Sequence, residues 1–269
     1  MTAGSTDKPD LAPQPAEGRD GAYWAKSVGK LSLAQVPAGA VNLNVAGRRV
    51  VGPIQGFGQM WQKTFRVRLE GASVTPAEAI RAWKEHFSRF WPKGASFYAP
   101  LAGIAPGEVA LFTLSPLPGP VSLSSGVLVI YSDEVSFTFM TPEGHMLAAW
   151  ITFSAFADNA VTVVQAQALE RANDPLYEFM ATLGGHRMNS LFWEQTLRNL
   201  AAHFGVAGQV QTQVVCVDAR RQWSKASNIW HNAGIRCGLY AAGAPLRWLA
   251  KPFRHPAMPR LRPPSVGSR

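Results

Sequence analysis

From residue 127 to residue 169 the chain is a succession of β-forming runs separated by turns of three to five residues. Residues 127–131 and 135–140 flank Ser132-Asp133-Glu134. Residues 146–156 follow the turn Thr141-Pro142-Glu143-Gly144-His145, and residues 160–169 follow Ala157-Asp158-Asn159. Parallel pairing needs a crossover of about a dozen residues, so turns this short dictate an antiparallel, meandering sheet and exclude a βαβ fold. Residues 108–114 add a strand ahead of the series. The uncharged run 109–132 is long enough to raise the question of a membrane span. Pro116, Pro118, Gly119, Pro120 and Gly126 lie inside it, so it reads as two strands around a loop.

An earlier strand covers residues 61–70, with Trp61, Phe65, Val67 and Leu69 on one face and Gln62, Thr64, Arg66 and Arg68 on the other. Thr75-Pro76-Ala77-Glu78 then has the order of a capping box, with Pro at the first helical position. Ile80, Trp83, Phe87 and Phe90 follow as one apolar stripe, and Pro92 ends the helix. After the strands, Asp174-Pro175 opens a long helix that runs to about His203 and ends at Gly205. Gly184-Gly185 predicts a kink within it. Beyond the kink, Met188, Phe192, Gln195 and Asn199 mix apolar and polar side chains along one stripe, as a cavity wall would. Gly52-Pro53-Ile54-Gln55-Gly56-Phe57-Gly58 reads as a bend that packs Phe57 down, within a lead-in of one or two short strands.

The fold class expected is α+β: a curved antiparallel sheet wrapped around a long C-terminal helix. The order resembles the START-like helix-grip superfamily, which includes polyketide cyclases and lipid-transfer domains. Residues 61–204 are similar to an uncharacterised bacterial and plant family within it. The stretch Phe137-Thr138-Phe139-Met140-Thr141-Pro142-Glu143-Gly144-His145 carries the likeness: an aromatic strand ending in Thr, a two-residue turn, then Gly-His. The resemblance implies an internal apolar cavity and no particular activity.

Chemical motifs are sparse. A GxSxG elbow and a Walker loop are absent, the glycine-rich run at 52–58 lacks GxGxxG spacing, and nothing calls for a cofactor. The six histidines are scattered, so no metal site is expected. Cys216 and Cys237 form no disulfide framework and read as reduced thiols. His145, in a turn beside Glu143, is the strongest candidate for acid–base work or ligand hydrogen bonding, with Glu143 orienting it. Trp83, Phe87, Phe137, Phe139 and Trp150 read first as core, with a cavity wall as the alternative, and together with Phe192 they are the candidate ligand-binding aromatics.

Charge is split along the chain. The segment 219–269 holds eight Arg, two Lys and no Asp or Glu, so it carries +10, while the other 218 residues carry −1. Arg220, Arg221, Trp223, Trp230, Arg236, Arg247, Trp248, Lys251 and Arg254 interleave cations with rings. That pattern suits a solvated tail whose tryptophans pack back on the domain, or an anionic membrane surface, where rings sit at headgroup level. Nucleic acid ranks below it as a partner. The organisation expected is a disordered tail at 1–21, a helix-grip-like domain at 22–210, a basic aromatic-rich extension at 211–255 and a disordered Pro/Arg tail at 256–269. The leading expectation is a non-enzymatic binder or carrier of an apolar small molecule or lipid, cytoplasmic with peripheral membrane attachment. The alternatives are a cyclase- or hydratase-type enzyme using His145 on an aromatic or polyketide-like substrate, and a nucleic-acid-associated protein acting through the tail. Nothing in the sequence sets an oligomeric state.

Overall fold

In a computed structural model of the chain, residues 21–115 and 122–243 are described. The loop prolines at 116–120, both terminal tails, and Arg247, Trp248, Lys251 and Arg254 lie outside the described residues.

The strands are β1 (Val50–Val51), β2 (Met60–Arg68), β3 (Ala95–Tyr98), β4 (Val109–Leu114), β5 (Leu123–Ser132), β6 (Ser136–Pro142), β7 (Leu147–Asp158), β8 (Val161–Ala172) and β9 (Val210–Asp218). All pairings are antiparallel, in the order β3-β4-β5-β6-β7-β8-β2-β9, with β1 beside the end of β6. Short turns keep sequence neighbours adjacent, as the spacing from residue 127 requires.

The helix α1 (Pro76–Glu85) begins with the capping box: Thr75 Oγ1 accepts from the Glu78 amide, and Glu78 returns a bond to the Thr75 amide at 2.8 Å. A 3-10 turn, Phe87–Phe90, extends its stripe. The long helix comes in two pieces, α2 (Pro175–Met180) and α3 (His186–His203). Asp174 caps α2 by accepting from the Leu176 and Tyr177 amides. Between the pieces lies the π-helical turn Ala181–Gly185, where Gly184 has φ +117°. A side chain there would be strained, which is why the kink falls on a glycine.

The concave face of the sheet packs against α1 and α3. Residues directly opposite on neighbouring strands share a face, so Phe137, Phe153, Ala166 and Phe65 make one concave row. Phe139, Ile151, Ala168 and Lys63 make the next, and Ala149, Glu170 and Trp61 the one after. Part of the convex face is covered by the N-terminal segment, where Leu31 and Val45 pack on Leu111 and Leu128. Phe57 is buried, and the Phe57 and Gly58 amides both donate to the Ala172 carbonyl, so the glycine-rich run is a bend as read.

The division of the chain at residue 210 needs correction. Residue 210 begins β9, which completes the sheet beside β2. The 3-10 segment Trp223–His231 and the helix α4 (Ala233–Ala242) follow and lie against the domain. Asn232 Nδ2 donates to Asp174, the Gly234 amide donates to Tyr177 Oη, and Cys237 is buried beside Ser124. Burial holds the Tyr177 hydroxyl well above its ordinary pKa and raises that of Asp174.

Candidate functional site: a cavity between the sheet and the kinked helix

A cavity of about 460 Å³ lies between the concave face and α3. Its floor is set by small residues: Ala168 stands in the row of Phe139 and Ile151, and Ala149 in the row of Glu170 and Trp61. Its roof is the start of α3, with Gly185, Met188, Asn189, Phe192 and Trp193 turned towards the sheet. Aromatic rings close the far wall. Trp91 meets Phe192 edge-on at 5.0 Å and Phe112 at 5.7 Å, and Phe97 stacks over Phe139 at 6.0 Å. Such walls give broad apolar contact at little conformational cost.

One wall is charged. Lys63 is 1% exposed, and its Nζ sits 2.7 Å from Glu170 Oε1, itself 3% exposed. Lys63 Nζ also donates to Asn189 Oδ1 at 2.9 Å. Glu170 and Asn189 line the cavity, while Glu170 Oε1 lacks an aligned hydrogen bond. Two charges taken out of water cost several kcal/mol each, roughly, and tolerate it only when paired. His186 stands nearby, its ring 5.1 Å from that of Trp61; burial, and then the Lys63 charge, lower its pKa. The Trp91 ring lines the cavity, while its indole N–H is buried with no hydrogen-bond partner among the described residues.

His145 lines the same cavity and is buried. Both the amide nitrogen and the carbonyl oxygen of Leu147 lie 2.9 Å from Nδ1. The amide hydrogen is fixed by the backbone and directed at Nδ1, so the neutral ring accepts there and carries its proton on Nε2. No residue among those described bonds Nε2, which makes it the polar atom the ring offers to the cavity. Burial lowers the pKa of His145 to about 4, so the ring is neutral at pH 7. Thr141 is satisfied differently: its Oγ1 accepts from the Ala149 amide at 3.0 Å and reaches the Val51 and Ala149 carbonyls.

Of the residues singled out from sequence, His145, Phe139 and Phe192 line the cavity. Glu143 does not. It pairs with Arg49 at 2.6 Å and Arg48 at 3.8 Å and lies 3.7 Å from His231, so it ties the N-terminal segment to the C-terminal extension and does not orient His145. Trp83, Phe87 and Phe137 belong to the dry core, where Trp83 meets Phe153 edge-on at 5.0 Å and Phe137 stacks on Phe153 at 4.7 Å. Trp150 is on the wrong face: Ala149 and Ile151 point into the cavity, so the residue between them must point out, and it is 41% exposed. On α3, Gln195 and Asn199 bond each other beside Phe90, outside the cavity. Sequence reasoning missed Lys63, Glu170, Asn189, Trp91 and Trp193. Strand parity was the available signal for Lys63, which sits between Trp61 and Phe65 on the apolar face.

The cationic residues divide. Arg221 pairs with the buried Glu178 at 2.9 Å, and Arg236 bonds Asn44 Oδ1 at 3.0 Å, so both serve the fold. Arg220 pairs with Asp218 yet stays open to solvent; bonds from the Arg220 amide and the Arg171 and Arg220 guanidinium groups hold the Asp218 carboxyl down at about 2. Trp223 rests an edge on Phe57 and is otherwise exposed, and Trp230 is 82% exposed. Among the described residues no group of three His, Cys, Asp or Glu is placed to hold a metal, and no helix is long and apolar enough to cross a membrane.

The sheet wraps one long, kinked helix, with a second helix closing its other half. The fold is a helix grip. No family model and no curated protein sequence matches the chain. Solved structures are similar over about half of it. Protein Ms6760 from Mycobacterium smegmatis is 10% identical, with 54% of this chain and 90% of that one covered and a TM-score of 0.39. The di-domain ARO/CYC StfQ from the steffimycin biosynthetic pathway is 12% identical over 55% of this chain and 53% of its own, with a TM-score of 0.42. Ginseng major latex-like protein 151 from Panax ginseng is 12% identical over 55% of this chain and 99% of its own, with a TM-score of 0.37.

Proposed function

We propose that the protein binds an apolar small molecule or lipid in the cavity and carries it to or from an anionic membrane surface. The cavity itself carries this reading: about 460 Å³ walled mostly by aromatic and aliphatic side chains, with Glu170, Asn189 and His145 among its polar groups beside Lys93, Ser115 and Thr141. Asn189 and His145 would hold one oxygen-bearing end of the ligand, because an aliphatic chain alone leaves His145 Nε2 without a partner. The membrane part rests on α2 and the π turn. Leu176, Phe179, Met180 and Leu183 recur at helical spacing and are all exposed. The acid on that stretch, Glu178, is buried against Arg221, so the stripe shows a bilayer no negative charge. Gly185 and Met188, just beyond, line the cavity.

The test is native mass spectrometry of gently purified full-length protein, with extraction of whatever is released, and co-sedimentation with phosphatidylserine vesicles. A discrete bound mass and salt-sensitive sedimentation are expected. An apo mass together with no vesicle association would overturn the reading.

A second reading, a cyclase- or hydratase-type reaction, is favoured by the unpartnered Nε2 of His145 alone. With Nδ1 accepting from Leu147, the ring would act through its Nε2 proton as a hydrogen-bond donor or acid. It requires that His145→Ala abolish turnover while ligand binding persists.

A further inference from the structure

The two edges of the sheet differ. At one end stands β3, four residues long, with Pro92 and Pro100 close on either side. Short edges flanked by proline resist further pairing. At the other end stands β9, nine residues long, paired on its inner side with β2 and on its outer side with nothing among the described residues. Its sequence, Val-Gln-Thr-Gln-Val-Val-Cys-Val-Asp, holds no proline, no glycine and no charge before Asp218. Asp218 is itself engaged by Arg171 and Arg220. Residues 211–217 are exposed, Val214, Val215 and Val217 by about half. The outer backbone N–H and C=O groups of such a strand form a ready template for another strand.

We infer that β9 pairs antiparallel with β9 of a second copy of the chain, about a two-fold axis at Val214. The occupant follows from the charge pattern. About a two-fold axis every side chain faces its own symmetry mate or the residue equally far from the centre, so a lysine or glutamate near the middle would meet its own charge. The strand has none there. Centred on its middle residue, Val214 opposes Val214, Gln213 opposes Val215, Thr212 opposes Cys216 and Gln211 opposes Val217. These are uncharged pairs, and the valines and threonine among them have high strand preference. Antiparallel pairing about an axis normal to the sheet keeps both concave faces, and so both cavities, on one side of the dimer. The inference stands whether or not the cavity holds a ligand.

Sedimentation equilibrium of the full chain over a wide dilution range is the test, with Gln213→Lys/Val215→Lys as the disrupting variant. Both changes lie on an exposed strand, and an unchanged melting temperature at low concentration confirms that the variant folds. A wild-type dimer is expected, with dissociation at least tenfold weaker in the lysine variant. A directly opposed pair brings Cα atoms to about 4.5–5.5 Å, within disulfide reach. Val214→Cys on a Cys216→Ser background is therefore expected to cross-link under mild oxidation. A wild-type monomer at the highest concentration, a dimer indifferent to the lysines, or a dimer in which V214C gives no cross-link overturns the inference.

Discussion

The two halves of the concave face are built on the same strands and end differently. Under α1, Trp83 and Phe87 meet Phe137 and Phe153 edge-to-face while those two stack on each other, all four buried. Under α3, further along the same strands, β7 runs from Phe153 through Ile151 to Ala149 and β8 carries Ala168, so the floor is small, and the kink at Gly184 sets the helix apart from α2. A buried ion pair, Lys63–Glu170, occupies the position where the dry half would place another apolar contact. One half is built for stability and the other gives some of it up to keep a hollow, which is what a binding site in a folded core requires.

The largest effects should separate the halves. Trp83→Ala opens a void in the interlocked cluster and is expected to cost about 3–5 kcal/mol by denaturant melts. Phe192→Ala only enlarges an existing space, so it is expected to cost less than half as much. Similar costs at the two sites would erase the distinction.

Lys63→Met leaves the Glu170 carboxylate buried without its partner and is expected to cost about 3–5 kcal/mol. Lys63→Met/Glu170→Leu removes both charges and is expected to recover most of that loss, while weakening any ligand held by an oxygen. A double variant as unstable as the single one would show that the pair is not balanced as described.

His145 sharpens the comparison through pH. Its pKa falls from 6.5 to about 4 on folding, so between those values the unfolded chain takes up a proton that the folded chain refuses. Stability is therefore full above pH 6.5, declines by about 1.4 kcal/mol per pH unit as pH falls, and levels off near 4, a total of about 3 kcal/mol. His145→Asn is expected to remove that part of the acid limb; parallel pH profiles for variant and wild type would contradict a buried neutral imidazole.

The smallest expected effect concerns the extension. Gly144 has φ +86° and lies under the His231 carbonyl, which a Cβ would strike. Gly144→Ala is expected to cost roughly 1–3 kcal/mol and to raise proteolysis after residue 218, leaving the ring cluster under α1 intact by near-ultraviolet circular dichroism.

Much of this architecture is legible in the chain. Short turns dictated the antiparallel order, the capping box at Thr75 and Asp174-Pro175 marked both helix starts, and Gly184-Gly185 marked the kink. Local chemistry decides these features. The cavity was legible only in part, because its floor is defined by what is small. Ala149 and Ala168 look like nothing in a sequence, whereas Trp150 between them draws the eye and points the other way. Glu143 misled for a related reason: it is two residues from His145, but a turn separates their directions, and its partners Arg48, Arg49 and His231 come from distant segments. β9 was hidden because strand pairing with β2 is a long-range event, and its residues were read by their charge-rich surroundings.

The most direct test of the hollow half is equilibrium binding of a neutral apolar fluorophore, N-phenyl-1-naphthylamine, to the full chain and to Ala149→Leu/Ala168→Leu, which fills the cavity floor with side chains in place of space. Saturable one-to-one enhancement in the wild type, weakened at least tenfold in a variant that melts at the same temperature or higher, is the expected result. Equal binding by the two proteins, or none by either, would contradict a ligand-holding cavity between the sheet and α3.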